Sequence, residues 1–220
     1  MKKKYKVLGI NYGHDSSAAL GIGEEIIAAC EQERYDLKKH STNFPIDAIN
    51  DCLNIAKIKI NNLDEIALSM DFDDLVKKNY IEPALKNQER LKFLINDIDR
   101  INLYVNFENF VRMKLKFRGK ITTYRHHLCH LASTYYPSGF NKALLFSNDG
   151  SGEYENGMLG VGNNGKIFQK KTIGEFADSL GHIYAAITFF LGWRHHCDEG
   201  IIMGLAPFGD PNDIIAGQKN

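Results

Sequence analysis

One pattern occurs twice in this chain and restricts its fold more than any other feature. GINYGHDSSAALGIG, residues 9–23, reads as a strand, a turn rich in acid and serine, and a second strand. LLFSNDGSGEYENGMLGVG, residues 144–162, reads as a strand, an acid-glycine-serine-glycine turn, and a second strand. The first copy comprises strands over Tyr5–Asn11 and Ala18–Ile22 with a third over Glu25–Glu31; Pro45 then opens a helix on which Ile49, Cys52, Leu53 and Ala56 keep the helical period. In the second copy the strands are Ala143–Asn148, Met158–Gly162 and Lys166–Thr172, with Asn163-Asn164-Gly165 as a hairpin turn, followed by an apolar helix over Ser179–Leu191.

Two such half-units, each offering a turn to the phosphates of one nucleotide, describe an α/β architecture of the actin-like ATPase and sugar-kinase (ribonuclease H-like) class. The pattern divides the chain into a first half-unit over 1–140 and the start of a second over 141–220. Between them lie a strand over Ile66–Met70, one over Lys120–Tyr124, and a helix from His126 to Tyr136 ended by Pro137. Residues 75–117 contain no glycine and repeat Leu91, Leu94, Ile95, Ile98, Ile101, Val105 and Phe110 at helical spacing, so they read as an insertion of amphipathic helices. Arg112, Lys114, Lys116, Arg118 and Lys120 make its end basic, as either a solvated helix terminus or an anion-binding surface. Gly200–Gly209 reads as a loop.

Composition removes whole classes of function. The 220 residues carry 27 basic and 27 acidic side chains, so there is no electrostatic footprint for nucleic acid or a membrane surface. Hydrophobic residues at 44% and charged residues at 25% are globular values. No stretch reaches the ~18 apolar residues of a membrane span, and the apolar run after the basic N-terminus is too short for a signal peptide. Four irregularly spaced cysteines read as reduced thiols, which together with the missing leader points to the cytoplasm.

Several residues can carry chemistry. His126 and His130 stand at i and i+4, so their imidazoles share a helix face and suit a borderline divalent metal; local hydrogen bonding is the alternative, and His127 points elsewhere. His195, His196, Cys197, Asp198 and Glu199 are all ligand types, but consecutive residues diverge, and a polar loop is preferred. His14, in a glycine-bearing turn, can serve as a base or be an ordinary turn residue. Asp149, Gly150, Ser151, Gly152 and Glu153 can bring backbone N–H groups to phosphate and an acid to magnesium or ribose, or form a plain Gly-rich hairpin.

Taken in order, GINYGHDSSAAL, EQERYDLKKHSTNFP, HHLCHLASTYYPSGF, NDGSGEY, SLGHIYAAITFFLG and EGIIMGLAPFGD resemble the N-terminal part of the O-carbamoyltransferases of nodulation-factor and antibiotic biosynthesis, over about residues 4–210. The resemblance implies an actin-like domain similar to that of tRNA threonylcarbamoyl transferases. It also implies a C-terminal domain similar to threonylcarbamoyl-AMP synthase, expected to lie outside this chain. The implied reaction makes carbamoyl-adenylate from carbamoyl phosphate and ATP with Mg2+, then moves the carbamoyl group to a hydroxyl of a sugar or natural product. On the same resemblance, His126 and His130 hold Fe2+, with Zn2+ or Mn2+ as alternatives, and His14 serves carbamoyl transfer. Lys39, with Lys38 beside it, meets the carbamoyl or phosphate group. Asp149 to Glu153, with Met203 and Gly204, line the nucleotide pocket. The family's third metal ligand, a downstream aspartate, has no counterpart before Asn220, so two ligands and an enzyme fragment or split piece are expected. A non-catalytic nucleotide- or partner-binding module is the rival, and a tRNA-modifying threonylcarbamoyl transferase a third reading.

Overall fold

A computed structural model describes residues 3–174 and 179–210, and its strands form two sheets. In the first, β1 (Lys6–Asn11), β2 (Ser17–Ile22) and β3 (Glu25–Glu31) make an antiparallel meander. Strands β4 (Glu65–Leu68) and β5 (Lys120–Thr123) extend it in parallel from the other edge of β1, giving the order β3-β2-β1-β4-β5. In the second sheet β6 (Lys142–Asn148), β7 (Gly157–Asn163) and β8 (Lys166–Ile173) repeat the meander. The repeat extends to its irregularity: the pairing of second and third strands slips between Leu20 and Gly21 in one copy and between Leu159 and Gly160 in the other. This strand order, with only the second strand reversed in the five-stranded sheet, is that of the actin-like, ribonuclease H-like α/β class.

A single helical turn, α1 (Glu33–Asp36), follows β3, and Pro45 caps α2 (Ile46–Ile55). The α2 face Ala48, Ile49, Cys52 and Leu53 is buried against Leu8, Ile10, Leu20 and Ile66 of the sheet, in one continuous core. The insertion is helical, as its period predicts. It begins with α3 (Phe72–Val76), where Asp71 accepts from the Asp74 N–H at 3.1 Å, and runs through a π-helical turn at Lys77–Ile81. Then follow α4 (Glu82–Lys86), α5 (Gln88–Asn96), α6 (Ile98–Val105) and α7 (Phe107–Leu115). Tyr12 stacks on Phe107 at 4.9 Å and Phe72 lies 4.6 Å from the same ring, which fixes the insertion to the first sheet. At its basic end Arg112 pairs with Glu108 at 2.8 Å and donates to the Gly119 carbonyl at 2.8 Å, the behaviour of a tied helix terminus.

Helix α8 (His126–Tyr135) packs on the second sheet through Leu131 and Tyr135, against Leu145 and Met158. Contact is so close that a Cβ on Gly162 would lie 2.3 Å from the Tyr135 ring, which is itself buried. Gly162→Ala should therefore cost about 2 kcal/mol, read as a lower urea midpoint with unchanged slope; an unaffected midpoint would show that α8 is free to shift.

After α9 (Leu180–Phe190), N-capped by Ser179, residues 200–209 depart from the expected loop. They form helix α10 (Glu199–Leu205) and a 3-10 turn, Ala206–Phe208. The two glycines lower helix propensity by only ~1 kcal/mol each, and packing of α10 on α9 with Glu199 in the first turn overrides that. None of the four cysteines is paired, and among the described residues no helix is long and apolar enough to cross a membrane.

Candidate active site

The sequence carries α8 out of β5 at Arg125, whose extended backbone makes it the N-cap. No capping side chain is local; the cap comes from the second meander. Glu153, fully buried, accepts from the His126 N–H at 2.8 Å and from the Asp71 N–H at 2.9 Å, tying the helix start to the insertion. Gly152 is required here, since a Cβ would lie 2.8 Å from the His127 ring. Arg125 pairs with Glu155, also fully buried. His127 turns inward, bonded to Ser147 Oγ and the Glu155 carbonyl at 3.1 Å each, and burial pushes its pKa down to about 4, so it is a neutral core residue.

The opposite face of α8 presents His126 and His130 to Asp149, at the end of β6. His126 Nε2 is 2.9 Å from Asp149 Oδ2 and 2.9 Å from His130 Nε2, and His130 Nε2 is 3.2 Å from the same carboxylate oxygen. Hydrogen bonds from both rings hold the Asp149 carboxyl far below the usual carboxylate range. Two ring nitrogens this close can share at most one proton, whereas one cation satisfies both and the carboxylate together. The donor set, two imidazoles and a carboxylate, fits a borderline divalent ion such as Fe2+ or Zn2+. The geometry thus offers a third candidate donor beside the two histidines expected from the sequence. From the sequence Asp149 reads as a nucleotide residue, and its spacing from His126 carries no motif signal because sheet packing, not chain proximity, joins them.

A second group lies on the β1–β2 turn. His14 Nδ1 is 2.6 Å from Asp15 Oδ2, His40 Nδ1 is 2.8 Å from Asp15 Oδ1, and the two rings stack at 4.9 Å. His14 Nε2 meets the His196 carbonyl at 2.8 Å. Both groups line one cleft of about 1700 Å3, into which six of the eight histidines project. Gly150, Ser151 and Met203 also line it. The N-terminus of α9 is fastened beside Gly150: Ser179 Oγ donates to the Asp149 carbonyl at 3.0 Å, and a Cβ on Gly181 would stand 2.8 Å from Gly150 Cα.

Other expected residues fall elsewhere. Gly152 and Glu153 lie beneath the cleft as the packing and capping residues of α8, not on its lining. Lys39, Lys38 and Gly204 are exposed outside the lining. The rival ligand run does not converge: Asp198 pairs with Arg194 at 3.4 Å, and the Glu199 carboxylate accepts from the His196 N–H. Asp15 and His40 were not singled out from the sequence; only their proximity to His14 in space marks them.

A family profile described as the carbamoyltransferase N-terminus matches residues 6–219. The chain is 32% identical over 219 residues to the uncharacterized protein sll1178 of Synechocystis sp., covering 94% of this chain and 35% of that one. It is 31% identical over 205 residues to the nodulation protein NolNO of Sinorhizobium fredii, covering 90% and 28%. It thus spans about a third of the length of these relatives. Similar solved structures include the ROK hexokinase from Thermus thermophilus, at 11% identity and TM-score 0.47, covering 94% of this chain and 70% of that one. Full-length HypF in its phosphate- and nucleotide-bound form aligns at 14% identity and TM-score 0.44, covering 77% and 18%.

Proposed function

The chain belongs to the carbamoyltransferase N-terminus family, and from that premise we propose that it is the transfer half of an O-carbamoyltransferase. Its donor is carbamoyl-adenylate, made from carbamoyl phosphate and ATP with Mg2+ by a C-terminal domain in cis or in trans. The acceptor is a hydroxyl of a sugar or natural product. The observation that carries the reading is that one cleft brings together a metal-type group and a histidine-acid turn.

His126, His130 and Asp149 would hold the ion, Fe2+ first and Zn2+ or Mn2+ as alternatives. Once bound, it would supply positive charge against the adenylate phosphate. Gly150 and Ser151 offer a small, close-approach turn to the phosphate beside it. His14 is assigned to the attacking hydroxyl, with the Asp15 carboxylate beside its Nδ1 balancing the positive charge that develops on the ring. As the oxygen attacks the carbamoyl carbon and the bond to the AMP phosphate oxygen breaks, the products are a carbamate and AMP. Lys39, which is exposed outside the cleft lining, is assigned to the incoming carbamoyl or phosphate group.

The full-length enzyme supplied with carbamoyl phosphate, ATP and a hydroxylated sugar should release AMP in step with carbamate, followed by mass spectrometry and nucleotide chromatography. ADP as the sole nucleotide product would contradict the mechanism.

A further inference from the structure

The cleft contains two groups of the same composition. Each has one aspartate and two histidines. Each aspartate lies in the turn between the first two strands of its meander, Asp15 two residues before β2 and Asp149 directly after β6. The ring-nitrogen-to-carboxylate distances are alike, 2.6 and 2.8 Å in one group against 2.9 and 3.2 Å in the other.

The hydrogen bonding of His14 points to a cation in its own group. A backbone carbonyl only accepts, so Nε2, facing the His196 oxygen at 2.8 Å, carries the ring proton. In the neutral ring Nδ1 then holds a lone pair, and it stands 2.6 Å from a carboxylate oxygen that also only accepts. Two lone pairs at that separation repel unless positive charge lies between them. A proton shared with Asp15 would serve His14 alone, whereas His40 Nδ1 also faces this carboxylate, on its other oxygen. One metal ion serves both nitrogens and the carboxylate at once. The His14 Nε2–H to His196 carbonyl bond then becomes the outer hydrogen bond that fixes the tautomer of a ligating histidine.

The group is also built in advance. Asp15 and His40 both hold left-handed backbone, φ 56° each, a conformation that costs a non-glycine residue ~1 kcal/mol or more. Asn11 Nδ2 pins the turn by donating to the carbonyls of His14 at 3.1 Å and Asp15 at 3.0 Å. All three ligand atoms lie within 4.8 Å of one another.

We propose that His14 Nδ1, the Asp15 carboxylate and His40 Nδ1 form a second divalent-cation site, for ions of the Zn2+, Co2+ and Fe2+ class, in the same cleft as His126, His130 and Asp149. Its existence does not depend on carbamoyl transfer. Resting on that reading, however, the site assigns the help that His14 gives the acceptor to a cation able to lower the pKa of an oxygen bound to it.

The test is a calorimetric titration of the 220-residue chain with Zn2+ alone, paired with metal analysis after gel filtration. The native chain should take up two equivalents. Asp15→Asn and His40→Gln should each leave one, with the lost site weakened at least ~100-fold, and Asp149→Asn should leave the other one. On the unsubstituted chain, Zn2+ should protect His14 and His40 from acylation by diethyl pyrocarbonate, which gives a readout independent of variant folding. One equivalent in the native chain that persists in Asp15→Asn and His40→Gln, with no protection of His14, overturns the site and leaves a proton as what joins His14 to Asp15. Two equivalents that both survive Asp15→Asn overturn it as well. Absence of carbamate from a full-length enzyme that binds both ions would count against the transfer reading instead.

Discussion

Asp149→Asn should weaken divalent-metal binding at the histidine helix at least ~100-fold while leaving the chain folded. The substitution keeps the shape of the side chain and removes its charge. Among the described residues Asp149 is the one anionic donor touching both His126 and His130, at 2.9 and 3.2 Å. Without it two neutral imidazoles remain, and a dication prefers the mixed set strongly to a pair of ring nitrogens. Folding should survive because the Asn Oδ1 can still accept from the Gly150 N–H, and the other ties of this turn do not use the carboxylate. The Asp149 N–H donates to the Asn156 carbonyl at 2.9 Å, its carbonyl accepts from Ser179, and Glu153 caps α8. Competition with a chromophoric chelator measures the affinity, and the thermal midpoint without metal checks the fold. Wild-type affinity in the variant would remove Asp149 from the ligand set.

Arg125→Met should cost about 3–5 kcal/mol of stability at neutral pH. Its partner Glu155 is fully buried, and burial already pushes that carboxyl above its ordinary value even with the guanidinium in place. Removing the arginine strands a buried charge beneath the histidine helix and strips the cation from the Tyr154 ring, which it overlies at 5.3 Å. The pH dependence has a definite sign. A carboxyl with a raised folded pKa binds its proton in the folded chain before the unfolded one. Its penalty is therefore largest above the folded pKa and shrinks as pH falls through it. Urea denaturation should show a wide gap between variant and native chain at pH 7 that narrows as pH falls through the raised folded pKa. A constant gap would mean that the loss is packing alone.

Much of this fold was legible because its signals are local. Alternation and turn residues marked all three strands of each meander, and period marked the insertion, because side-chain direction within an element follows from spacing. Residues 200–209 were not legible: glycine count argues for a loop, whereas contact with α9 decides for a helix. β6 shows another limit. Ala143 to Phe146 is apolar throughout, as in a strand covered on both faces, yet among the described residues Leu144 and Phe146 remain 78% and 60% exposed while Leu145 is buried.

The site divides in the same way. His126 and His130 share a face by helical arithmetic, so they could be paired from the sequence. Asp149 joins them only because α8 packs on β6, and His40 joins Asp15 only because the chain returns across the β1–β2 turn. Glu153 carries the most instructive reversal. In a Gly-rich acidic turn it reads as a nucleotide residue, but its burial under α8 makes it the cap that positions the histidines.

The most direct measurement is anomalous diffraction at the absorption edge of the bound metal, from crystals of the chain loaded with Fe2+ or Zn2+. The account predicts a peak about 2.0–2.2 Å from His126 Nε2, His130 Nε2 and an Asp149 oxygen. No peak there, or one that leaves Asp149 unbound, would contradict the metal centre on which the proposed transfer chemistry rests.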